Sequence, residues 1–253
     1  KSLPLFILGG GSNVLFRDGG FPGIVLRLGR GLAGVRCASA PEESETRLEV
    51  GAAERNARLV RYCLENGLSG LEFLVGVPGR VGGALAMNAG AWGREIHETL
   101  LELEIMTRDG QIKALSASGI TARYRGLELP EGAVILSGAF GLSRVDPAQV
   151  KKAAAKIMAW RRSGQPKGVH SAGCVFRNPE GESAGRLIDR AGLKGLSVGP
   201  AFVAPEHANF IVHRGGAAAW QVIRLMETVK SEVKARFGLD LEPEIKIVGE
   251  NGL

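Results

Sequence analysis

Gly76-Val77-Pro78-Gly79-Arg80-Val81-Gly82-Gly83-Ala84 puts four glycines and a proline into nine residues. Backbone without a Cβ turns through positive φ or lies close against a ligand. A second stretch of the same kind, Gly9-Gly10-Gly11-Ser12-Asn13, stands near the start of the sequence. Exposed N–H groups in such loops cradle phosphate oxygens. Either loop alone reads as a tight turn, and two in one domain point to a large diphosphate ligand. Neither is a standard nucleotide motif. A Rossmann fingerprint starting at Gly9 needs glycine at position 14, where Val14 stands, and the Walker pattern is absent.

Around these loops the sequence reads as strands with a few helices. Residues 5–8 form a short apolar run ending in glycines, the mark of a buried strand entering a loop, and residues 24–28 read as another strand. Residues 54–66 read as a helix with Ala57, Val60 and Leu64 on one face, stopped at Asn66-Gly67. Residues 101–106 alternate apolar and acidic, Asp109-Gly110 turns the chain, and residues 111–115 return as a hairpin. Residues 133–140 read as a buried strand. Asp146-Pro147 starts a helix with Val150, Ala154, Ile157 and Trp160 as its stripe, and that helix ends at residues 161–164. A further helix over 217–237 carries Val222, Met226, Val229 and Val233 on one face and closes at Gly238, and residues 245–248 form a last strand. Strand-rich material to about residue 145 followed by helix-rich material predicts two α+β domains, 1–146 and 147–253. No internal repeat or low-complexity segment interrupts them.

The 253 residues are enough for one large or two modest domains. Glycine, with 37 residues, is present at about twice its usual share of about 7%. The net charge of +6 comes from Lys and Arg scattered along the chain. That scatter argues against nucleic acid as a partner and suits anionic small molecules, nucleotides and diphosphates included. Three cysteines, Cys37, Cys63 and Cys174, form no CxxC pair and are odd in number, as expected in a reducing, cytoplasmic setting. No apolar run approaches the ~20 residues of a membrane span, and residues 3–8 are too short for a signal peptide. The missing initiator Met suggests a chain that begins inside its fold.

Motifs along nearly the whole chain resemble those of UDP-N-acetylenolpyruvoylglucosamine reductases. Leu8-Gly9-Gly10-Gly11-Ser12-Asn13 resembles their pyrophosphate loop. Residues 70–96, with Gly76-Val77-Pro78-Gly79, Gly82-Gly83 and Met87-Asn88-Ala89-Gly90-Ala91, resemble their second flavin loop. Tyr124-Arg125, the run Ser171-Ala172-Gly173-Cys174-Val175-Phe176-Arg177-Asn178-Pro179, Ala191-Gly192-Leu193-Lys194-Gly195, His207-Ala208-Asn209-Phe210 and Leu241-Glu242-Pro243-Glu244-Ile245 follow in the family's order. The resemblance implies an FAD-binding domain of the vanillyl-alcohol-oxidase type, its first strands missing here, followed by a smaller α+β substrate-binding domain. It is similar to the shorter subclass, without an inserted tyrosine-bearing loop. FAD, bound non-covalently, is expected against Gly9, Gly10, Gly11, Ser12, Asn13, Gly76, Val77, Pro78, Gly79, Gly82, Gly83, Asn88, Ala89 and Gly90. No metal is implied, and a monomer is expected.

The chemistry implied is reduction of the enolpyruvyl double bond of UDP-N-acetylglucosamine enolpyruvate to give UDP-N-acetylmuramate for peptidoglycan. NADPH reduces FAD and leaves. The substrate then receives hydride at its outer vinyl carbon, charge collects on its carboxylate, and a proton arrives at the carbon bearing the ether oxygen. The protein must orient the substrate, stabilise that charge and supply the proton. The resemblance makes Arg125 the carboxylate clamp, a task suited to an always-charged guanidinium fork. Without it, Arg125 reads as a surface arginine at a strand end. Glu244 is implied to polarise the carboxylate, with Glu242 as rival. Cys174 stands where the family carries a proton-donating serine, and a thiol of ordinary pKa is protonated at neutral pH and also donates. Its bland reading is a small buried cysteine, to which Cys37 and Cys63 are assigned.

Tyr124, Asn178 and Lys194 are implied substrate contacts. Leu127 replaces a usual serine, and Gly164 replaces a usual lysine whose charge Lys167 or Arg161 supplies. His207 lies where the substrate diphosphate is expected, but a lone histidine is more often a hydrogen-bonded packing residue, so it stays outside the catalytic set. Two other readings remain: another FAD-dependent oxidoreductase of the same fold, and a non-catalytic nucleotide-sugar binding protein.

Overall fold

The computed structural model describes residues 3–38 and 45–252, so the outermost residues of the two expected domains and residues 39–44 lie outside it. Strand β1 (Leu5–Leu8) leads through the first glycine loop to β2 (Val14–Phe16), and β3 (Ile24–Arg27) follows. β1 and β3 make a two-stranded sheet. The expectation of a buried first strand is corrected here. Leu5, Ile24 and Val25 are exposed, because a two-stranded ribbon has no second layer over it among the described residues.

The chain folds as two compact units. One comprises Ile7–Gly10 and Leu26–Arg161. Its frame is an antiparallel sheet that gathers β4 (Val35–Cys37), β5 (Glu45–Gly51), β9 (Leu100–Met106), β10 (Ile112–Ser116) and β13 (Val134–Arg144), in the order β10-β9-β13-β5-β4, with β6 (Leu68–Ser69) on the end of β13. The strand numbers between leave room for two small ribbons, β7 (Gly90–Ala91) with β8 (Arg94–Glu95) and β11 (Ala122–Arg123) with β12 (Gly126–Leu127). β13 lies between β5 and β9 and is buried on both faces for most of its length, hence its near-continuous apolar run. The Asp109-Gly110 hairpin forms as expected, with Gly110 at φ 84°.

Helix α1 (Asn56–Asn66) buries Leu59, Val60 and Cys63 and ends on Gly67 in the left-handed region, whose N–H donates to the Cys63 carbonyl. The short α2 (Val81–Ala86) lays Leu85 on β13 at Gly138, where a Cβ would come within 3.0 Å of the leucine. α3 (Pro147–Gly164) starts as the Asp146-Pro147 pair predicts, with the Asp146 carboxylate accepting from Ala148 N at 2.9 Å. Its stripe is shorter than expected. Val150 and Ala154 are buried and Ile157 partly so, while Trp160 is 66% exposed. Trp160 instead meets the ring of Trp92 at 4.6 Å.

The other unit gathers Gly11–Val25 and the chain from Arg162 onward, together with the residues up to Phe6. It contains α4 (Ala184–Arg190), a three-stranded sheet of β14 (Ser197–Val198), β15 (Ala201–Val203) and β16 (Ile211–Val212), then α5 (Ala219–Phe237) and β17 (Lys246–Val248). α5 buries Leu225, Met226, Val229 and Val233 against Phe176, Leu187 and Leu241, and stops at Gly238 with φ 71°. β17 pairs in parallel with β2, and the Asp18 carboxylate receives the N–H groups of Ala219 and Trp220 at the start of α5, each at 2.8 Å.

These units depart from the expected 146/147 boundary in two places. α3 stays with the first unit, because Ala154, Ile157 and Met158 pack into that unit's core. Residues 11–25 leave it, because β2 and Asp18 tie them to β17 and α5. No helix among the described residues is long and apolar enough to cross a membrane.

Candidate cofactor and substrate site

The second glycine loop is held by the link between β5 and α1. Asn56, buried, donates its backbone N–H to Gly79 O and its Nδ2 to Pro78 O, both at 3.2 Å. Val81 N donates to Glu54 O and Gly82 N to Ala52 O, each at 2.9 Å, and the Arg80 guanidinium donates to Ala53 O. The first loop rests directly on this scaffold. A Cβ on Gly10 would stand 2.5 Å from the Gly79 Cα, and one on Gly9 would stand 3.4 Å from the Gly83 Cα. At Gly10 the contact leaves no space for a side chain, so main chain meets main chain there, while a Cβ on Gly9 would lie at ordinary van der Waals distance from Gly83. Gly76 has φ 74°, and a Cβ there would meet Arg161 Cδ at 2.9 Å. Arg161, one of the two candidates for the charge of the usual lysine, thus lies against the second loop, while Lys167, the other candidate, is exposed in the other unit.

In the run that follows, Asn88, expected as a cofactor contact, has no exposed surface, and its side-chain amide bonds within the protein. Its Nδ2 donates to Glu95 Oε2 at 2.7 Å and to Arg123 O at 3.1 Å, and its Oδ1 accepts from His97 N at 3.3 Å. Ala89 N donates to Ala84 O at 2.7 Å, so this run continues directly from α2. Gly90 lies under the Arg125 guanidinium, where an added Cβ would come within 3.1 Å of Nη1. Tyr124 is exposed, with the Arg125 guanidinium 4.8 Å from its ring centroid. The structure therefore brings Arg125, with Tyr124 beside it, to the end of the second loop at Gly90. Leu127, in place of the usual serine, packs against the core of this unit.

In the other unit a second constellation forms around Cys174. Backbone bridges join His170 to His213 and Cys174 to Phe210, four steps along one side against three along the other. The extra residue is a bulge at Gly173, φ 82°, which re-aims the side chain that follows it. Cys174 is half-buried beside Ala204, Phe210 and Val212. Val175 N donates to Asn209 O, Glu244 N to Val175 O and Arg177 N to Glu242 O, so the segment is clasped from both sides. The buried Asn209 amide clamps Phe176 twice, accepting from its N–H at 2.9 Å and donating to its carbonyl at 2.8 Å.

Glu244 is half-buried, and Asn13 Nδ2 donates to its carbonyl at 3.2 Å. Its rival Glu242 is exposed beside Arg177. Asn13, Cys174 and Glu244 are thus drawn into one neighbourhood by backbone pairing. Asn178 and Lys194 are placed differently: the Asn178 Oδ1 accepts from Ala184 N at the start of α4, and Lys194 pairs with Asp189 at 2.7 Å on the surface. Burial pushes the His207 pKa below its ordinary value. Its Nδ1 accepts from Asn209 N at 3.3 Å. Cys63, deep in the first core, has its pKa pushed up to about 12 by burial, which makes it an inert thiol.

Sequence reasoning missed Asn56, Asn209 and Asp18 as organisers of the site. Asn209 stood in a quoted motif, and an amide flanked by apolar residues at 208 and 210–212 was the available signal.

Paired glycine loops over an α1–α2 bracket, joined in sequence to a second α+β unit, define a dinucleotide-binding protein of the FAD-binding class. Residues 1–116 match the model for an FAD binding domain, and residues 165–248 match that for the UDP-N-acetylenolpyruvoylglucosamine reductase C-terminal domain. The UDP-N-acetylenolpyruvoylglucosamine reductase of Geotalea uraniireducens is 42% identical over 98% of this chain and 80% of its own length. That of Syntrophobacter fumaroxidans is 43% identical over 98% of this chain and 72% of its own length. The crystal structure of the same enzyme from Thermus caldophilus superposes with a TM-score of 0.83 at 35% identity, covering 98% of this chain and 86% of that one. The chain belongs to the UDP-N-acetylenolpyruvoylglucosamine reductase family.

Proposed function

We propose that this protein reduces UDP-N-acetylglucosamine enolpyruvate to UDP-N-acetylmuramate, with NADPH as reductant, for peptidoglycan synthesis. The seating of Gly9 and Gly10 on Gly83 and Gly79 carries the reading, since it leaves a main-chain cradle suited to a pyrophosphate. Gly9–Asn13, Gly76–Gly79 and Gly82–Gly83, with Ala89 and Gly90 beyond them, are the residues that would hold FAD. When bound, FAD supplies the hydride chemistry by passing electrons from NADPH to the enolpyruvyl double bond.

The chain's own groups orient and protonate. Arg125 receives the substrate carboxylate in its fork and stabilises the negative charge that builds there. Glu244 polarises the same carboxylate. The Cys174 thiol gives its proton to the carbon bearing the ether oxygen. Tyr124 offers an exposed ring to the substrate, and Asn178 and Lys194 stand at the periphery of the substrate domain. The reading also places the protein in the cytoplasm, as a monomer, serving cell-wall growth and division.

An anaerobic titration tests it. NADPH should bleach the yellow holoprotein, and UDP-N-acetylglucosamine enolpyruvate should restore the colour with one substrate consumed per flavin. A flavin that stays reduced in the presence of that substrate removes the proposal.

A further inference from the structure

Among the described residues, three other than glycine have positive φ: Asn88 at 40°, Trp92 at 60° and Arg125 at 59°. Asparagine tolerates this region because its short amide finds local partners, but arginine and tryptophan do not favour it. Strain of this kind persists only where surrounding structure over-determines it. All three belong to one unit, and two of them are joined through a single side chain.

That side chain is Asn88. Tyr124 and Arg125 are the two central residues of a tight turn between β11 and β12, whose register pairs Arg123 with Gly126. Arg125 takes the second central position, where positive φ ordinarily calls for Gly or Asn. The Asn88 Nδ2 holds the Arg123 carbonyl at the base of this turn. The amide's orientation is set on both sides, with carboxylate and carbonyl acceptors at Nδ2 and the His97 N–H at Oδ1. His97 Nδ1 lies 3.1 Å from Asn88 Oδ1 and 3.3 Å from Glu95 Oε2; both atoms accept, so Nδ1 carries the proton. Glu95, His97 and Asn88 thus form a closed polar knot with one free end, and that end is fastened two residues before Arg125.

We propose that Asn88 is a positioning residue for Arg125, holding the 122–127 hairpin so that the guanidinium lies over Gly90. The proposal rests on reading Arg125 as the carboxylate clamp. It gives the asparagine of the second glycine loop a task directed at the substrate, not at the flavin. A clamp displaced by about 1 Å can lose on the order of 10²-fold in rate.

Asn88→Gly keeps the backbone conformation accessible and removes the side-chain bonds. Glu95→Ala removes one anchor of the amide and serves should Asn88→Gly not fold. Flavin content, bleaching by NADPH and reoxidation by UDP-N-acetylglucosamine enolpyruvate are measured on each holoprotein, with hydrogen exchange over residues 122–127. The expected result is a reoxidation rate lowered roughly 10- to 100-fold relative to the bleaching rate, faster exchange in the hairpin, and little further loss when Asn88→Gly is added to Arg125→Ala. Loss of bound flavin, or equal slowing of both half-reactions, makes Asn88 a cofactor residue and overturns the proposal. Unchanged reoxidation in the Asn88→Gly and Glu95→Ala proteins, with Arg125→Ala impaired, overturns it while leaving the clamp intact. Unchanged reoxidation in Arg125→Ala removes the clamp itself and this proposal with it.

Discussion

In the glycine cradle, backbone meets backbone, with Gly10 so close to Gly79 that a methyl group has no place. In the Cys174 segment, backbone is held by what is added to it: the Asn209 amide on Phe176, the Asn209 and Glu242–Glu244 main chain on Val175 and Arg177, and a bulge at Gly173. The first region is built by subtraction and fails when an atom is inserted. The second is built by long-range pairing and fails when a partner is removed. The contrast matches the tasks proposed for them. A cradle for a fixed diphosphate needs close approach, whereas a proton donor needs aim.

The sharpest way to break this contrast is at Cys174 itself. With Cys174 as the acid, Cys174→Ala should slow reoxidation by substrate on the order of 10²- to 10⁴-fold, the usual range for losing a general acid, while NADPH still bleaches the flavin. Cys174→Ser should retain turnover, since the hydroxyl occupies the same re-aimed position after the bulge. Rapid-mixing absorbance separates the two half-reactions. An alanine variant with unaltered reoxidation would show that the bulge aims nothing of chemical importance.

The next largest effect belongs to the cradle. Gly10→Ala places a methyl 2.5 Å from the Gly79 Cα, between two stretches of main chain that cannot swing away. Overpacking of this sort costs about 1–3 kcal/mol or more, and here it also pries the two loops apart. The purified variant should be colourless or nearly so, with a lower melting temperature. Gly29→Ala makes a useful control: like Gly10 it has no positive φ, yet nothing stands within 4 Å of the added methyl. If Gly10→Ala keeps its full complement of flavin, the close approach is not what the cofactor requires.

Much of the cradle was legible because its cause is local. Glycine spacing at 76–83 and 9–11 reports a backbone demand that no distant residue alters, and the capped ends of α1, α3 and α5 follow from Gly67, Asp146-Pro147 and Gly238 in the same way. The domain boundary was not legible, because the cores that claim α3 and residues 11–25 are assembled from contacts far apart in sequence. Asn88 shows the limit most clearly. Its motif placed it in the second glycine loop, but nothing in that motif announced its burial or its bond to the carbonyl of Arg123, 35 residues away. For Cys174 the motif supplied an identity, and only the pairing with 209–213 and 242–244 revealed how it is held.

Asn209 tests the second half of the contrast more gently. Asn209→Ala leaves the buried N–H and carbonyl of Phe176 without their partners, a loss of about 2–4 kcal/mol. Chemical denaturation should show that loss, and because the clamp acts on the residues after Cys174, reoxidation should slow while bleaching by NADPH does not. Asn209→Asp keeps the acceptor for Phe176 N but sets a carboxylate oxygen against the Phe176 carbonyl and buries a charge, so it should be at least as damaging as alanine. A variant that is destabilised with both half-reactions slowed alike would make Asn209 a residue of the core only.

The smallest effect is a pH dependence confined to one of the two regions. His207 has its folded-state pKa lowered, chiefly by burial, with the nearby Lys194 charge acting in the same direction. The unfolded chain therefore takes up a proton at the ordinary value of about 6.5 while the folded protein resists it. Stability from this group is complete above about pH 6.5 and is lost as the pH falls from there through the lower folded value. Protonation also removes the lone pair at Nδ1 that accepts from Asn209 N, so the loss falls on the residue that clamps the Cys174 segment. Between pH 7.5 and 5.5 the melting temperature should drop further in the wild type than in a His207→Gln variant, whose side chain does not titrate. Hydrogen-exchange protection, taken relative to the intrinsic rate at each pH, should fall over residues 174–177 and 207–211 and remain unaltered over residues 76–83, where no histidine contributes to the cradle. Equal acid sensitivity in both segments would show that His207 is not the group responsible and that the two regions are not separable in this respect.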